Sequence, residues 1–376
     1  MKKRLANFEC LRVIAMFMVV ALHYLAHSDA LLTLDLPLNL YHLTATLLES
    51  FCIVAVNVYL LITGYFMTEA DFKVSRIVQL VCQLLFYSLL IPVILMLCNI
   101  PIAGAGQGIY GLLSYLLPVE TDHYWFASSY VMLYLLLPFF NPAIRAMSQK
   151  QLQLAMGGLL ILFCGIKSIC PAVLSFDRYG YDLPWFICVY LVAAYIRRFG
   201  ISFLERGRRA LMVYLSSCLL IFGISLAAWA VYGRTQSMGY YFTVPYHYNF
   251  IFCLTGAIGL FYLAKRWTIK AEPLANFLCF AGPLSFGVYL FHEHIDIRDR
   301  WLQVTRQITG AFLGFDGTEN ILLFFLHMII AVAAIFIIGI GIDWMRSRLF
   351  VLCGRWIGRT AVGRWFMRMD QLFSRK

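Results

Sequence analysis

Runs of apolar residues, each near the length of a membrane-crossing helix, recur ten times along this chain. They fall at about 8–27, 41–66, 77–100, 124–142, 152–170, 183–199, 210–232, 245–264, 274–292 and 321–342. A hydrocarbon layer of about 30 Å takes roughly 20 residues of helix to cross. Lipid offers no partner to an open backbone N–H or C=O, so such runs fold as helices. Hydrophobic residues make up 62% of the 376 positions and charged residues 13%, against about 25% charged in a soluble domain. That composition excludes a water-facing globule. The expected fold is an all-α integral membrane bundle of about ten transmembrane helices over residues 1–342, followed by a basic amphipathic tail over 343–376.

The distribution of Lys and Arg orients the bundle, because cytoplasmic loops carry the excess. With the N-terminus inside, alternating loops put 23 Lys and Arg residues inside, including Lys2, Lys3, Arg4, Lys73, Arg76, Arg145 and eight in the tail. Six remain outside: Lys167, Arg178, Arg234, Arg298, Arg300 and Arg306. Both termini are therefore expected in the cytoplasm, and the first apolar run is expected to be a retained helix rather than a cleaved signal. The net charge of +11 is spread over short loops, so it signals topology rather than nucleic-acid binding. The tail interleaves Arg with Trp, Phe, Leu and Met, a pattern suited to the inner headgroup layer. None of the eleven cysteines forms a CxxC pair, so neither a metal site nor a disulfide framework is expected.

Ionisable groups inside the hydrocarbon mark function, because each costs several kcal/mol and faces the bundle interior. In the first helix Arg12 and His23 are eleven residues apart, which returns to within about 20° of the same face at an axial separation of roughly 16.5 Å. One stripe then carries a cation near the inner side and an imidazole near the outer side. Two structural alternatives stand beside this: Arg12 pairing with Glu9 at i,i+3, and His23 as a polar contact between helices. On the second helix Glu49 falls near the depth of His23, where a carboxylate would orient the imidazole of a general base. Glu49 protonated, or snorkelling to the interface, is the alternative. Asn57 on the same helix falls near the depth of Arg12 and is a candidate cavity residue. Gly64 is expected at a close packing contact or a helix end. Tyr124, Trp125 and Trp185 fit an interfacial aromatic belt, or a sugar-stacking surface in which Trp125 contacts substrate.

These residues resemble the acyltransferase-3 family of integral-membrane O-acyltransferases, and the resemblance spans essentially the whole chain. FECLRVIAMFMVVALHY is similar to the family's first-helix signature, with Arg12 and His23 as its Arg and His. NVYLLITGYFMTEADFKVSRIVQL resembles the helix that ends in Ser/Thr-Gly-aromatic before a basic inner loop, here Thr63, Gly64, Tyr65, Lys73 and Arg76. YWFASSYVMLYLLLPFFNP is similar to the fourth span of polysaccharide-modifying members, and LSFGVYLFHEH to a late helix ending in His, here His292. Many members carry Asp-Gly where this chain has Glu9 and Cys10, and some carry a fused esterase-like domain that is not expected here.

The resemblance implies transfer of an acyl group, most commonly acetyl, from acyl-CoA as donor substrate to a sugar hydroxyl of a surface polysaccharide or lipid-linked glycan, in a bacterial cytoplasmic membrane. No permanently bound cofactor or metal is implied. Arg12, Lys73 and Arg76 would hold CoA phosphates, since Arg offers forked hydrogen bonds. His23 would be the base, with an unperturbed pKa of about 6.5, and Glu49 its support. Asn57, Trp125 and His292 would contact the acceptor, with His292 the reserve base. Direct transfer and an acyl-enzyme both remain open. The rival classes are a multi-pass transporter, in which inverted repeats are expected, and a flippase-like protein without transfer activity. No such repeat is visible in the sequence.

Overall fold

The computed structural model describes residues 5–121, 123–313 and 320–374, so Lys2, Lys3 and Arg4 lie outside the described residues. Every regular element among the described residues is helical. In chain order they are α1 Ala6–His27, α2 Leu40–Cys52, α3 Ala55–Met67, α4 Val74–Leu97, α5 Gly108–Leu116, α6 Trp125–Ala146, α7 Gln149–Leu160 and α8 Ile166–Ile169. There follow α9 Leu183–Arg198, α10 Gly207–Thr235, α11 Gly239–Thr243, α12 Ile251–Lys265, α13 Glu272–His292, α14 Trp301–Leu313, α15 Ile321–Ile357 and α16 Ala361–Leu372.

All ten apolar runs are helical. Among the described residues nine helical stretches are long and apolar enough to cross a membrane. The run at 183–199 is α9, 16 residues long and mostly buried. Its start is set by Asp182, whose side chain accepts from the Trp185 N–H, and by the proline that follows in the first turn, where a missing N–H costs nothing. The second run is not one rod, because it breaks between Cys52 and Ala55 into α2 and α3.

The centre of the bundle is α1, packed against α13, α3 and α15, while α3 lies on α9 and α12. Small residues set these contacts, as expected where no hydrophobic effect drives helices together. A Cβ at Gly64 would collide with Ala193 and Tyr190 of α9, so Gly64 is a packing glycine in the interior of α3, not a helix end. Lys73, Arg76, Arg145 and Arg198 cluster at one end of the bundle, called here the basic end. Arg145 donates to the backbone carbonyls of Thr68 and Ala70, and Arg198 to those of Ile144 and Arg145.

The chain does not pass into a separate tail at residue 343, because α15 runs unbroken from Ile321 to Ile357. Asp343 is fully buried. Its carboxylate accepts from Gln83 Nε2, Tyr87 Oη and the Arg346 guanidinium, at 2.7–3.0 Å. Those bonds tie the helix to α4 at the point where apolar character ends.

Candidate active site

Side-by-side packing of α1 and α13 brings His23, one turn before the end of α1, against His292, the last residue of α13. Nδ1 of His23 and Nε2 of His292 are 2.9 Å apart. Nδ1 of His292 lies 2.7 Å from the carbonyl oxygen of Val288, one turn back on its own helix. A carbonyl only accepts, so neutral His292 carries its proton on Nδ1 and offers Nε2 as an acceptor. The proton between the two rings therefore belongs to Nδ1 of His23. Nε2 of His23 is left with its lone pair, which is the form a general base needs.

Behind this pair sits Glu293, whose Oε1 lies 3.4 Å from His23 Nδ1 and has no hydrogen-bond partner among the described residues. Burial raises its pKa above the usual carboxyl range, opposed by His292 and Arg298. Positive charge developing on His23 would favour the carboxylate. The ligand atoms of His23, His292 and Glu293 all lie within 4.8 Å of one another, which would suit a metal. Two nitrogens on one tetrahedral zinc at about 2.0–2.1 Å would stand roughly 3.3 Å apart. At 2.9 Å the two nitrogens are within hydrogen-bond distance of each other.

His23 opens onto a cavity of about 30 Å³ walled by Met16, Val19, Tyr59, Trp125, Phe126 and Tyr248. Its side chain keeps 22% exposure while His292 keeps none, so only His23 is within reach of a ligand. The space admits one or two water-sized groups, which accommodates the head of a short acyl chain but not a sugar ring. Trp125 stacks with Tyr248 at 5.6 Å and contacts Tyr181 at 4.4 Å. Tyr59 donates to the Arg12 carbonyl at 2.8 Å and shares a 2.9 Å bond with Ser285.

One helical turn away on α6 a larger cavity begins, of about 970 Å³, at the basic end and lined by Arg76, Tyr130, Tyr134 and Arg346. Phe126 walls the small cavity and Tyr130 the large one, with their rings parallel at 6.4 Å. A turn of helix is about 5.4 Å, so the two cavities begin close together along α6.

Of the residues singled out in the sequence, His23 and Trp125 share the small cavity and Arg76 lines the large one. Arg12 lines neither, and its guanidinium is paired with Glu9 at 3.0 and 3.1 Å. Lys73 caps α4 through its backbone, exchanging bonds with the Tyr134 hydroxyl, and its side chain lines neither cavity. Asn57 is fully buried and occupied: it donates to the Tyr248 carbonyl at 2.8 Å and accepts from Trp185 Nε1 at 2.9 Å. It buttresses the aromatic wall from behind and is not placed to bind substrate. His292 does not face an acceptor either, since it stands behind His23.

Glu49 is not the carboxylate beside His23, because Glu293 holds that place. Its electrostatic neighbours include Cys52, Tyr181, Tyr246 and Cys253. Depth counting fixed its height but not which helix faces His23, and that neighbour is α13. Tyr124 and Trp185 are buried and hydrogen-bonded inside the bundle rather than in a belt. Sequence reasoning missed Glu293, Tyr59 and Tyr248. The run His292-Glu293-His294 at the end of an apolar helix was the available signal for the first, and nothing local signals the other two.

The acyltransferase-3 family model, described as an acyltransferase domain, matches residues 5–342. No curated protein and no solved structure matches the chain.

Proposed function

Because the chain belongs to the acyltransferase-3 family, we propose that this multi-pass membrane acyltransferase moves a short acyl group, acetyl in the first instance, from acyl-CoA to a sugar hydroxyl of a surface polysaccharide or lipid-linked glycan. The basic end would face the cytoplasm of a bacterial cell, where the excess of Lys and Arg belongs and where acyl-CoA is found. The observation that carries the reading is the one-directional hydrogen-bond chain from His23 through His292 to the Val288 carbonyl. That chain leaves a basic nitrogen at the edge of a cavity sized for a small acyl group.

In the transfer step, Nε2 of His23 takes the proton of the acceptor hydroxyl as its oxygen attacks the thioester carbonyl. The tetrahedral intermediate collapses by breaking the C–S bond. The departing thiolate recovers the proton from His23 and leaves as free CoA. While His23 is an imidazolium, His292 Nε2 accepts from its Nδ1–H and Glu293 supplies the opposite charge. The donor's nucleotide end suits the large cavity, with Arg76 as a phosphate ligand, and the aromatic wall of Trp125 and Tyr248 suits the C–H face of a sugar once it opens.

The test is release of CoA thiol from acetyl-CoA by purified protein in nanodiscs, with lipid-linked glycan extracted from producing cells as acceptor and mass spectrometry of the product. His23→Ala should remove the contribution of a general base, about 10²–10⁴-fold, in protein that still elutes as a single species. His23→Gln should not restore it, since an amide does not take the proton. An unaltered protein that leaves the thioester intact, or a His23→Ala variant with near-normal turnover, would overturn the reading.

A further inference from the structure

The family match ends at residue 342, yet the wall of the large cavity does not. α15 continues for 15 residues past Ile342, about 22 Å of helix, and turns at Gly358–Thr360 into α16. This segment is docked on the bundle. Asp370 of α16 accepts from the backbone N–H of Ser75 at 3.0 Å and from its hydroxyl at 2.5 Å, at the first turn of α4. Phe373 meets Phe72 at 5.0 Å. Between α4 on one side and α15 and α16 on the other lies the 970 Å³ cavity, near the upper end of the roughly 300–1,000 Å³ usual for small-molecule sites.

The chemistry of the lining is one-sided. Arg76, Arg346 and Arg355 contribute to it, with Gln79, Gln83 and Ser347, and among the described residues no carboxylate does. Arg346 is held in place by a fork onto Asp343 through Nε and Nη2, an arrangement that fixes where its remaining N–H groups point. Asp343 is admitted to that position because residue 287 is glycine, where a Cβ would collide with the carboxylate. Arg355, further along α15, is exposed and has no carboxylate partner among the described residues.

We propose that residues 343–372, beyond the family match, complete the donor site: Arg346 and Arg355 join Arg76 as ligands for the phosphates of the donor's nucleotide, and α16, latched to Ser75 by Asp370, closes its outer wall. The proposal rests on the acyl-CoA reading above. It commits the segment to a phosphate-rich nucleotide rather than to lying along the membrane surface. A cavity with three guanidinium groups and no acid matches a ligand that carries a diphosphate and a 3′-phosphate on one end and a neutral arm on the other.

The experiment is equilibrium binding of CoA, 3′-dephospho-CoA and pantetheine to the full-length protein in phosphatidylcholine nanodiscs. Arg355→Ala and Arg346→Ala should each weaken CoA at least about tenfold and leave pantetheine, which has no phosphate, within about twofold. Should Arg346→Ala disturb folding through Asp343, Arg355→Ala and Asp370→Asn test the same claim from groups nearer the surface, and Asp370→Asn should weaken CoA by freeing α16. Tail variants that bind CoA as the unaltered protein does, while Arg76→Ala does not, would overturn the proposal and leave the acyl-CoA reading standing. An unaltered protein that binds no CoA would bring down that reading itself. Retention of phosphatidylglycerol that depends on Arg355, with CoA binding indifferent to it, would assign the segment to lipid and likewise overturn the proposal.

Discussion

Replacing His292 by Phe removes the acceptor for the Nδ1–H of His23 without touching the cavity, since His292 is fully buried and does not line it. In the ground state a neutral hydrogen bond of 2.9 Å is lost. In the transition state, where His23 is becoming an imidazolium, the lost bond is charge-assisted and worth roughly 1.5–3 kcal/mol. At 1.36 kcal/mol per decade, that is a fall of about 10- to 150-fold in kcat, with KM for both substrates nearly unchanged. The loss should be smaller than that of His23→Ala, which removes the base itself. His292→Gln is the discriminating variant, because its amide oxygen can accept near the position of the lost Nε2, and it should recover most of the rate. The assay is steady-state CoA release with thermal melting as the folding control. A His292→Phe enzyme within twofold of wild type, or a folded Gln variant no better than Phe, would refute the hydrogen-bond chain as the source of His23's basicity.

Glu293→Gln should lower kcat and move the acidic limb of the pH–rate profile to lower pH, because the protonated His23 loses its counter-charge; Glu49→Gln should leave both limbs in place, and the reverse pattern would return the supporting role to Glu49. Lys167 and Asp177 form an ion pair in which both side chains are 2% exposed, so Lys167→Met should destabilise by about 3–5 kcal/mol and Lys167→Met with Asp177→Asn by much less, read as melting temperature in detergent. Burial pushes His123 from 6.5 down to about 4, so the unfolded chain binds its proton first. Stability from this group is full above about pH 6.5 and falls as pH drops toward 4. His123→Phe should flatten that slope in a melting series, and an unchanged slope would place the acid sensitivity elsewhere.

The sequence by itself determined the class of fold and pointed to His23 as the candidate base. Runs of 20 apolar residues admit only helices in lipid, and the same scarcity of charge makes an imidazole at position 23 conspicuous. Gly64 was legible as a close packing contact, because a glycine inside an apolar helix has few other roles. Which carboxylate lies beside His23 was not legible, because helical periodicity gives height and face but not neighbour. Glu293 reaches His23 across 270 positions only because α13 lies beside α1. Asn57 looked like a cavity residue until Trp185 and Tyr248, far away in sequence, took up its hydrogen bonds. The docking of the tail was not legible either: its basic, aromatic composition suits a membrane surface, and the packing of Asp343 among Gln83 and Tyr87 and of Asp370 on Ser75, which sets it beside the large cavity, is made with residues far away in sequence. Composition and period are properties of one segment, whereas a site is assembled by contacts between segments, and those are decided when the helices pack.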